Sequence, residues 1–484
     1  MQDKYIDGDL LGGHHYNKEN DEYLDRSLSN RHIQLIAIGG AIGTGLFMGS
    51  GKTLGVSGTS VIFTYLIIGF FFFFVMRAMG ELLLSNTRYK SFADFCTAYL
   101  GPWAGYFLGW SYWLSWVVAA IADMIVIGGY MQFWYPDLPA WIPAFTTITI
   151  LTLLNLLTVK IFGEMEFWFS LVKIIAIVSF LLVSLYLIFS HFVSPSGTTA
   201  SFNHLLDKDA MFPFGISGFF SGFQIAIFSF IGIELVGTTA AETKDPQKSL
   251  PKAINSIPLR IILFYVLALI CIISVTSWVN ISTDKSPFVQ FFTLIGLPAA
   301  ASIMNFVVAT SAMSSANSGI FATSRMLYGL ATEKDASEKF SYLSKRKVPV
   351  NSLIFSMACV FLGTSILFIV PNVMVAFTII STFGSILVIF TFGLILISYL
   401  VYRKKYPELH EKSIYKMPFG IFMSWATLAF LIFSIIILGL DHQTLISLAI
   451  SPFWFLALYI FYKIKKSKNR QRTWILEHGK RIEN

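Results

Sequence analysis

The sequence predicts an all-α integral membrane protein with twelve transmembrane helices. Hydrophobic residues make up 55% of the 484 residues and charged residues only 13%, against roughly 25% charged residues in ordinary globular domains. The apolar residues form stretches of about 20, which is the length that a helix needs to cross the hydrocarbon core of a bilayer. These stretches lack the alternating pattern of a transmembrane β-barrel.

Twelve such stretches, spans 1 to 12, follow one another along the chain. They divide it into an N-terminal tail (1–32), a core of ten spans (33–402), a final pair of spans (403–464) and a C-terminal tail (465–484). The predicted spans are residues 33–53, 58–84, 103–131, 139–160, 167–190, 216–240, 256–279, 298–326, 351–371, 374–402, 418–440 and 443–464.

The basic residues predict the orientation of the chain. The net charge is +8, and such an excess can indicate a nucleic-acid partner. Here, however, Lys and Arg lie between or at the ends of the spans, and 32 of the 35 fall on one side of the membrane, the exceptions being Lys52, Lys208 and Lys285. Because cytoplasmic loops carry the excess of Lys and Arg, we expect a multi-pass plasma-membrane protein with both termini in the cytoplasm and no nucleic-acid partner.

The segments between the spans exclude most enzyme classes. They are too short for a soluble catalytic or nucleotide-binding domain, and the acidic N-terminal tail has no apolar region of a cleavable signal. The three cysteines are far apart, and all eight histidines lie in loops or tails. We therefore expect a secondary transporter driven by an ion gradient, with no catalytic residue, metal centre or cofactor and no obligate protein partner.

Spans 1 and 6 each contain an interruption. Residues 39–45 include four glycines, and each glycine costs about 0.8–1 kcal/mol relative to alanine in a helix. Span 6 contains Ser229 and Gly232, followed by the carboxylate of Glu234. Four spans separate the two interruptions, as an inverted repeat of five plus five helices requires. A pair of interrupted helices at corresponding positions indicates a transporter binding site.

The interrupted backbone offers groups that bind a zwitterion. The amides of Thr44 and Gly45 are predicted to bind a carboxylate at the start of the following half-helix, and carbonyls of both interruptions to receive an ammonium group. Phe228 is either an aromatic lid over this site or a core residue. Alternatively, the glycines only allow close helix packing. The predicted binding residues are Ala41, Ile42, Gly43, Thr44, Gly45, Phe228, Ser229 and Ile231, with Asp123.

Ionisable residues inside the spans are functional candidates. Lys173 in span 5 either extends to the inner interface or is buried, where it gains and loses a proton and substitutes for a bound sodium ion. Three serines of span 8 are expected to share its site with span 1 carbonyls: Ser311, Ser314 and Ser315.

The acidic residues of the spans have alternative roles. Asp123 in span 3 either faces the substrate ammonium, takes part in proton coupling or forms a structural hydrogen bond. Glu234 either caps freed backbone amides or belongs to the substrate or proton path. Four further charges are expected to be structural or gating: Arg77 with Glu81 as an interfacial pair, and Glu164 with Glu166 at the start of span 5.

Three segments resemble the bacterial amino acid permeases of the amino acid–polyamine–organocation superfamily. They are the first span (residues 31–47), the loop after span 6 (241–251) and part of span 8 (314–321). Within that family, other segments are most similar to the D-serine/D-alanine/glycine permeases: residues 101–106, 122–123, 162–168, 234–239 and 410–418.

The resemblance implies a leucine-transporter-type fold with broken helices 1 and 6 and two extra helices. It also implies proton symport of small neutral amino acids such as D-alanine, D-serine and glycine, with L-alanine and L-serine as further candidates. Carboxylate binding is then expected at Thr44 and Gly45, and proton coupling at Lys173. An exchanger or permease of the same family for L-serine/threonine, aromatic or cationic substrates, or a polyamine antiporter, is the alternative.

Overall fold

The computed structural model describes residues 42–86, 89, 91–157, 159–238 and 245–479. Residues 1–41 lie outside this part of the chain; they comprise the N-terminal tail and the first part of span 1, with the predicted binding residue Ala41, and the loop 239–244 lies outside it as well. Regular structure in the described residues is helical, apart from one isolated bridge between Val193 and Thr199.

The helices are numbered here in chain order. Five tighter or wider turns extend them: a π-helical turn (Gly45–Gly49) precedes α1, a 3₁₀ turn (Gly58–Ser60) joins α1 to α2, a 3₁₀ turn (Ile227–Phe230) follows α7, a π-helical segment (Ile261–Val266) joins α10 to α11, and a 3₁₀ turn (Ser365–Phe368) follows α14. The α-helices are α1 (Ser50–Ser57), α2 (Val61–Ser85), α3 (Phe92–Leu100), α4 (Pro102–Met131), α5 (Trp141–Asn155), α6 (Val159–Phe189), α7 (Gly215–Ala226), α8 (Leu235–Thr238), α9 (Pro246–Asn255), α10 (Ile257–Arg260), α11 (Leu267–Thr276), α12 (Pro287–Leu294), α13 (Pro298–Thr332), α14 (Val350–Thr364), α15 (Val373–Lys405), α16 (Pro407–Lys412), α17 (Gly420–Ile437) and α18 (His442–Gly479).

The helices agree with the predicted spans. Nine stretches of the described residues are long and apolar enough to cross a membrane. The longest, Gly45–Ser85, contains the end of span 1 and the whole of span 2, and within it Gly58 at φ 57° ends α1 before α2 begins. Two shorter apolar helices, Trp141–Asn155 and Gly215–Phe230, correspond to spans 4 and 6. The predicted all-α membrane fold is therefore confirmed.

Helix α4 lies at the centre of the bundle. The apolar window of α4 is 83% buried inside the protein, whereas that of α18 is 22% buried and faces outward. The principal neighbours of α4 are α13 and α15. Close approach at these contacts depends on small residues: a Cβ on Gly319 of α13 would lie 3.0 Å from the Trp116 ring of α4, and one on Gly384 of α15 would lie 3.3 Å from the Val118 side chain of α4.

The expected interfacial pair between Arg77 and Glu81 is wrong. Glu81 is fully buried, and its carboxylate accepts hydrogen bonds from Tyr399 Oη (3.0 Å) and the Met417 backbone N–H (2.7 Å) and contacts His410 Nδ1 (2.5 Å). The carboxylate thus joins α2 to α15, α16 and the segment before α17. A buried carboxylate is stable only when its oxygens are hydrogen-bonded, and neighbours distant in sequence supply those donors.

Arg77 takes part in a neighbouring contact. Its guanidinium donates to Asn255 Oδ1 (2.8 Å) and lies over the Tyr415 ring at 3.9 Å from the ring centre. Burial raises the pKa of the Tyr415 hydroxyl to about 12, so this group stays protonated at neutral pH. It donates to the same Asn255 oxygen at 2.9 Å. Residues from α2, α9 and the segment before α17 therefore meet at the end of the bundle that is predicted to be cytoplasmic.

Candidate functional site

The two interrupted segments touch each other. A Cβ on Gly45 would lie 2.4 Å from Ser229 Cα and 2.7 Å from its backbone nitrogen. Only glycine permits so close an approach of two backbones. The π-helical turn that begins at Gly45 and the 3₁₀ turn that contains Ser229 therefore cross in direct contact.

The interruption of span 6 is held open by its own backbone geometry. After the 3₁₀ turn, Ile231 is extended (φ −62°, ψ 133°), and Gly232 adopts φ 105°, which favours glycine. One carboxylate oxygen of Glu234 accepts the Gly232 N–H at 2.9 Å. The structure thus places Glu234 at the break, where its carboxylate satisfies one freed backbone donor.

Two tyrosines fix the position of Ser229. Tyr265 Oη donates to the Ser229 carbonyl at 2.8 Å, and the hydroxyls of Tyr65 and Ser229 are hydrogen-bonded at 3.1 Å. Phe230 stacks on the Tyr265 ring with centroids 5.2 Å apart and an interplanar angle of 13°. One lone pair of the Ser229 carbonyl is therefore occupied already. The sequence analysis did not single out either tyrosine, because each comes from a distant helix.

Two serines of span 8 lie against span 1. Ser311 Oγ donates to the Ile42 carbonyl at 3.1 Å, and a Cβ on Gly43 would lie 3.5 Å from Ser315 Oγ. Ser314 points elsewhere and donates to the Glu166 carboxylate at 2.6 Å. Helix α13 therefore supports the start of the span 1 turn with two of its three predicted serines.

Asp123 is attached to the same turn. The Thr44 hydroxyl donates to Asp123 Oδ1 at 2.6 Å, and both side chains are buried. Ser315 and Lys173 also lie near this carboxylate. Asp123 Oδ2 has no hydrogen-bond partner among the described residues. A carboxylate from the central helix α4 thus contacts span 1 directly, beside the predicted binding amides.

Lys173 is fully buried and does not extend to the interface. Opposite charges on Glu166 and Asp123 attract its ammonium group. Removal of one partner from such a buried group of charges leaves an uncompensated charge that costs several kcal/mol. The three residues therefore form one electrostatic unit, which connects α6 to α4 and, through Thr44, to span 1.

Glu166 does not lie where the sequence analysis expects it. We expected this carboxylate at the start of span 5, but α6 begins at Val159, and Glu166 lies inside the helix and is fully buried. The missed signal is the spacing of Glu166, Ser170 and Lys173, since positions i, i+4 and i+7 share one helix face. That spacing would have placed the carboxylate and the amine on the same side of α6.

Phe228 is buried at the crossing. Its ring packs edge-on against Phe377, with centroids 5.7 Å apart, and lies next to Gly384 of α15. This position fits both a lid over the site and a core contact, so both interpretations of Phe228 stay predictions. Ile231 is also buried here and adds apolar surface.

The arrangement suits a small molecule that carries both charges. Helix α1 continues directly from the π-helical turn, and the positive end of a helix favours an anion near Thr44 and Gly45. The span 6 turn contributes carbonyl oxygens, and Asp123 adds a negative charge nearby. Phe228 and Ile231 are apolar neighbours that restrict the size of a bound side chain.

Comparisons with known proteins agree with this arrangement. The family model for the amino acid permeases matches residues 32–475. The chain is 60% identical over 438 residues to the D-serine/D-alanine/glycine transporter of Escherichia coli (strain K12), covering 90% of this chain and 93% of that protein. It is 47% identical to the amino-acid permease AapA of Bacillus subtilis (strain 168), covering 93% and 96% of the two chains.

A further relative has a related substrate in its name. The DL-alanine permease SerP2 of Lactococcus lactis subsp. cremoris (strain MG1363) is 42% identical, covering 93% of this chain and 98% of that protein. The resemblance predicted from the sequence motifs is confirmed by these matches. The expectation of a transporter and not an enzyme is confirmed as well, because the family and these relatives are transporters.

The contact between Gly45 and Ser229 predicts opposite outcomes for two neighbouring glycines. Gly45→Ala places a methyl group against backbone and is expected to destabilise the protein by about 1–3 kcal/mol. Gly43→Ala adds its methyl at ordinary contact distance from Ser315 and is expected to change stability by less than about 0.5 kcal/mol. Thermal unfolding of both variants in the same detergent measures the difference. Equal unfolding temperatures for the two variants would contradict the crossing.

Proposed function

The chain belongs to the amino acid permease family and is a multi-span amino acid transporter, and we propose that it imports small neutral amino acids together with a proton. The proposed substrates are D-alanine, D-serine and glycine. The observation that carries this proposal is the crossing of the two interrupted helices at Gly45 and Ser229. It brings carboxylate-binding amides and ammonium-binding carbonyls into one buried place.

The charges near the crossing favour a neutral side chain. A cationic substrate needs a carboxylate for its additional positive charge. Asp123, however, accepts the Thr44 hydroxyl and faces Lys173, and Glu234 accepts the Gly232 amide. Because each of these carboxylates is already engaged through one oxygen, and Lys173 lies near Asp123, the site is better suited to a substrate whose two charges bind backbone groups.

The neighbouring side chains favour a small substrate. Phe228 is held edge-on by Phe377, and the Ser229 backbone is held by Tyr265. A bulky aromatic substrate would have to displace these packed rings, and displacement of well-packed core groups costs about 1–3 kcal/mol or more. The names of the relatives from Escherichia coli and Lactococcus lactis, which refer to serine, alanine and glycine, support the same substrate class.

Proton coupling is proposed to operate through Lys173. When protonated, Lys173 attracts Asp123, and Asp123 holds Thr44 in the turn that binds the substrate carboxylate. Loss of the proton leaves Asp123 without its nearby cation, so the turn is held less firmly and the substrate is released. Proton binding and substrate binding are linked in this way, since each favours the same arrangement of span 1.

The proposed setting is the plasma membrane, with both termini in the cytoplasm. The distribution of Lys and Arg between the spans supports this orientation. Release of the substrate and the proton then occurs on the side where Glu81, His410 and Tyr415 form the contacts described above.

Uptake of labelled D-alanine into proteoliposomes tests the proposed function. We expect accumulation with an inward proton gradient and only equilibration without one. Excess unlabelled glycine and D-serine are expected to inhibit uptake, whereas L-lysine and L-phenylalanine are not. Counterflow that ignores the proton gradient would identify an exchanger, and inhibition mainly by L-lysine or L-phenylalanine would contradict the proposed substrate class.

Two substitutions of Lys173 test the coupling. Lys173→Ala is expected to lower gradient-driven accumulation of D-alanine by at least about tenfold, because no group remains to take up and release the proton. Lys173→Arg keeps the positive charge beside Asp123 but cannot lose a proton. Transport by this variant is therefore expected to be uncoupled from the proton gradient. Counterflow of D-alanine is the control for each variant, and its retention would show that the substrate site is intact. Full accumulation in either variant would overturn the coupling role of Lys173.

A further inference from the structure

Helix α6 carries a polar face that the proposed transport mechanism does not yet use in full. Glu166, Ser170 and Lys173 follow one another at positions i, i+4 and i+7, and all three side chains are fully buried. Seven residues span about 10 Å along a helix, so the two long charged side chains approach each other across Ser170. The electrostatic attraction between Glu166 and Lys173 agrees with this placement.

Helix α13 presents polar side chains to the same face. Ser314 donates to Glu166 Oε1 at 2.6 Å, and Asn317 and Ser318 also face the carboxylate. Asn155 of α5 donates to Asn317 Oδ1 at 2.8 Å and so fixes the orientation of that amide. These neighbours from α5 and α13 are neutral, and the charged groups facing Glu166 are Lys173 directly and Asp123 behind it.

Several polar atoms of this cluster are buried without a hydrogen-bond partner among the described residues. They are Glu166 Oε2, Ser170 Oγ, Asn317 Nδ2 and Ser318 Oγ. Buried polar groups are nearly always hydrogen-bonded, and each exception requires an explanation. Asn317 and Ser318 lie close enough to stabilise the charge of Glu166, but neither forms a hydrogen bond of good geometry with Oε2. Contacts between the helices therefore engage only one oxygen of this carboxylate.

The cluster leads away from the substrate site. Glu166 precedes Lys173 on α6 and therefore lies closer to the end of this helix that is predicted to be cytoplasmic. Towards that end, Phe162 stacks on Phe321 with ring centroids 3.9 Å apart. The Arg325 guanidinium covers the Phe321 ring at 3.1 Å from its centre. An aromatic pair therefore separates the buried carboxylate from the cytoplasmic end.

We propose that Glu166 is the proton acceptor that carries the coupled proton from Lys173 to the cytoplasm; this rests on the proposed symport. In the step, one N–H bond of the Lys173 ammonium breaks and an O–H bond forms at Glu166 Oε2. The products are a neutral amine and a neutral carboxylic acid. The acid then gives the proton to cytoplasmic water when the Phe162–Phe321 pair separates, which restores the carboxylate.

The placement of the residues explains why a second group is needed. Lys173 is enclosed between Asp123 and Glu166, and its side chain has no exposed surface. Glu166 stands between it and the predicted cytoplasmic end, with one oxygen fixed by Ser314 and the other free to take the proton. Asn317 and Ser318 lie beside the carboxyl group and are available to donate to it in both of its protonation states.

Glu166→Gln in proteoliposomes tests the relay. The amide keeps the size of the side chain and its contact with Ser314 but cannot accept a proton. We expect D-alanine counterflow at equal pH within about twofold of the wild type, since Asp123 still compensates the charge of Lys173 and exchange of substrate requires no net release of a proton. We expect gradient-driven accumulation, and D-alanine-dependent acidification of internal pyranine, to fall by at least about tenfold.

Two further variants make the experiment specific. Glu338→Gln is the same substitution at an exposed position in the segment between α13 and α14, and it is expected to behave like the wild type in every assay. Glu166→Asp keeps a carboxylate and is expected to recover part of the acidification that Glu166→Gln loses. If Glu166 had a purely structural role, Glu166→Gln would lower counterflow and proton movement to the same extent.

The outcomes distinguish the relay from the transport mechanism on which it rests. Full accumulation and acidification in Glu166→Gln would overturn the relay and leave coupling through Lys173 intact. Equal loss of counterflow and accumulation would also overturn it, because Glu166 would then be structural. A wild-type protein that transports D-alanine without moving protons would overturn the proposed symport and the relay together.

Discussion

A backbone that leaves its helix inside a membrane must have its polar groups satisfied by protein or by a bound molecule, since the hydrocarbon core offers no water. The two interruptions meet this constraint at one place, where Gly45 lies directly on Ser229. Tyr265 and Glu234 satisfy part of the freed span 6 backbone, and Ser311 satisfies the Ile42 carbonyl of span 1. The proposed substrate site depends on this contact, because it brings backbone donors and acceptors together.

The buried charges extend from this crossing in one direction. Thr44 connects the span 1 turn to Asp123, Asp123 faces Lys173, and Lys173 faces Glu166. Thr44, Asp123 and Lys173 come from three different segments of the chain, and Glu166 shares α6 with Lys173. Isolated charges at this depth cost at least about 2.5–3.5 kcal/mol each, and their arrangement in a continuous series offsets part of that cost. The same series leads from the turn proposed to bind the substrate carboxylate to the side proposed for release of the proton.

Local features of the sequence determine what can be predicted from it. Span lengths follow from runs of apolar residues, and the breaks follow from the glycines at 39–45 and at Gly232. Contacts between distant segments do not follow in this way. Glu81 was expected to pair with Arg77 one turn away, yet its partners are Tyr399, His410 and the Met417 amide. The sequence analysis also placed Glu166 wrongly, at the start of span 5. Its burial depends on the packing of α13 against α6, which is again a contact between distant segments.

The most direct test of the account is an experimental structure of the protein with D-alanine bound. The account predicts the substrate carboxylate at the amides of Thr44 and Gly45, and its ammonium group at the carbonyls of the turn that contains Phe228 and Ser229. The methyl group is predicted to face Phe228 or Ile231. A D-alanine molecule bound away from the crossing of spans 1 and 6, or with its carboxylate and ammonium ends exchanged, would contradict it.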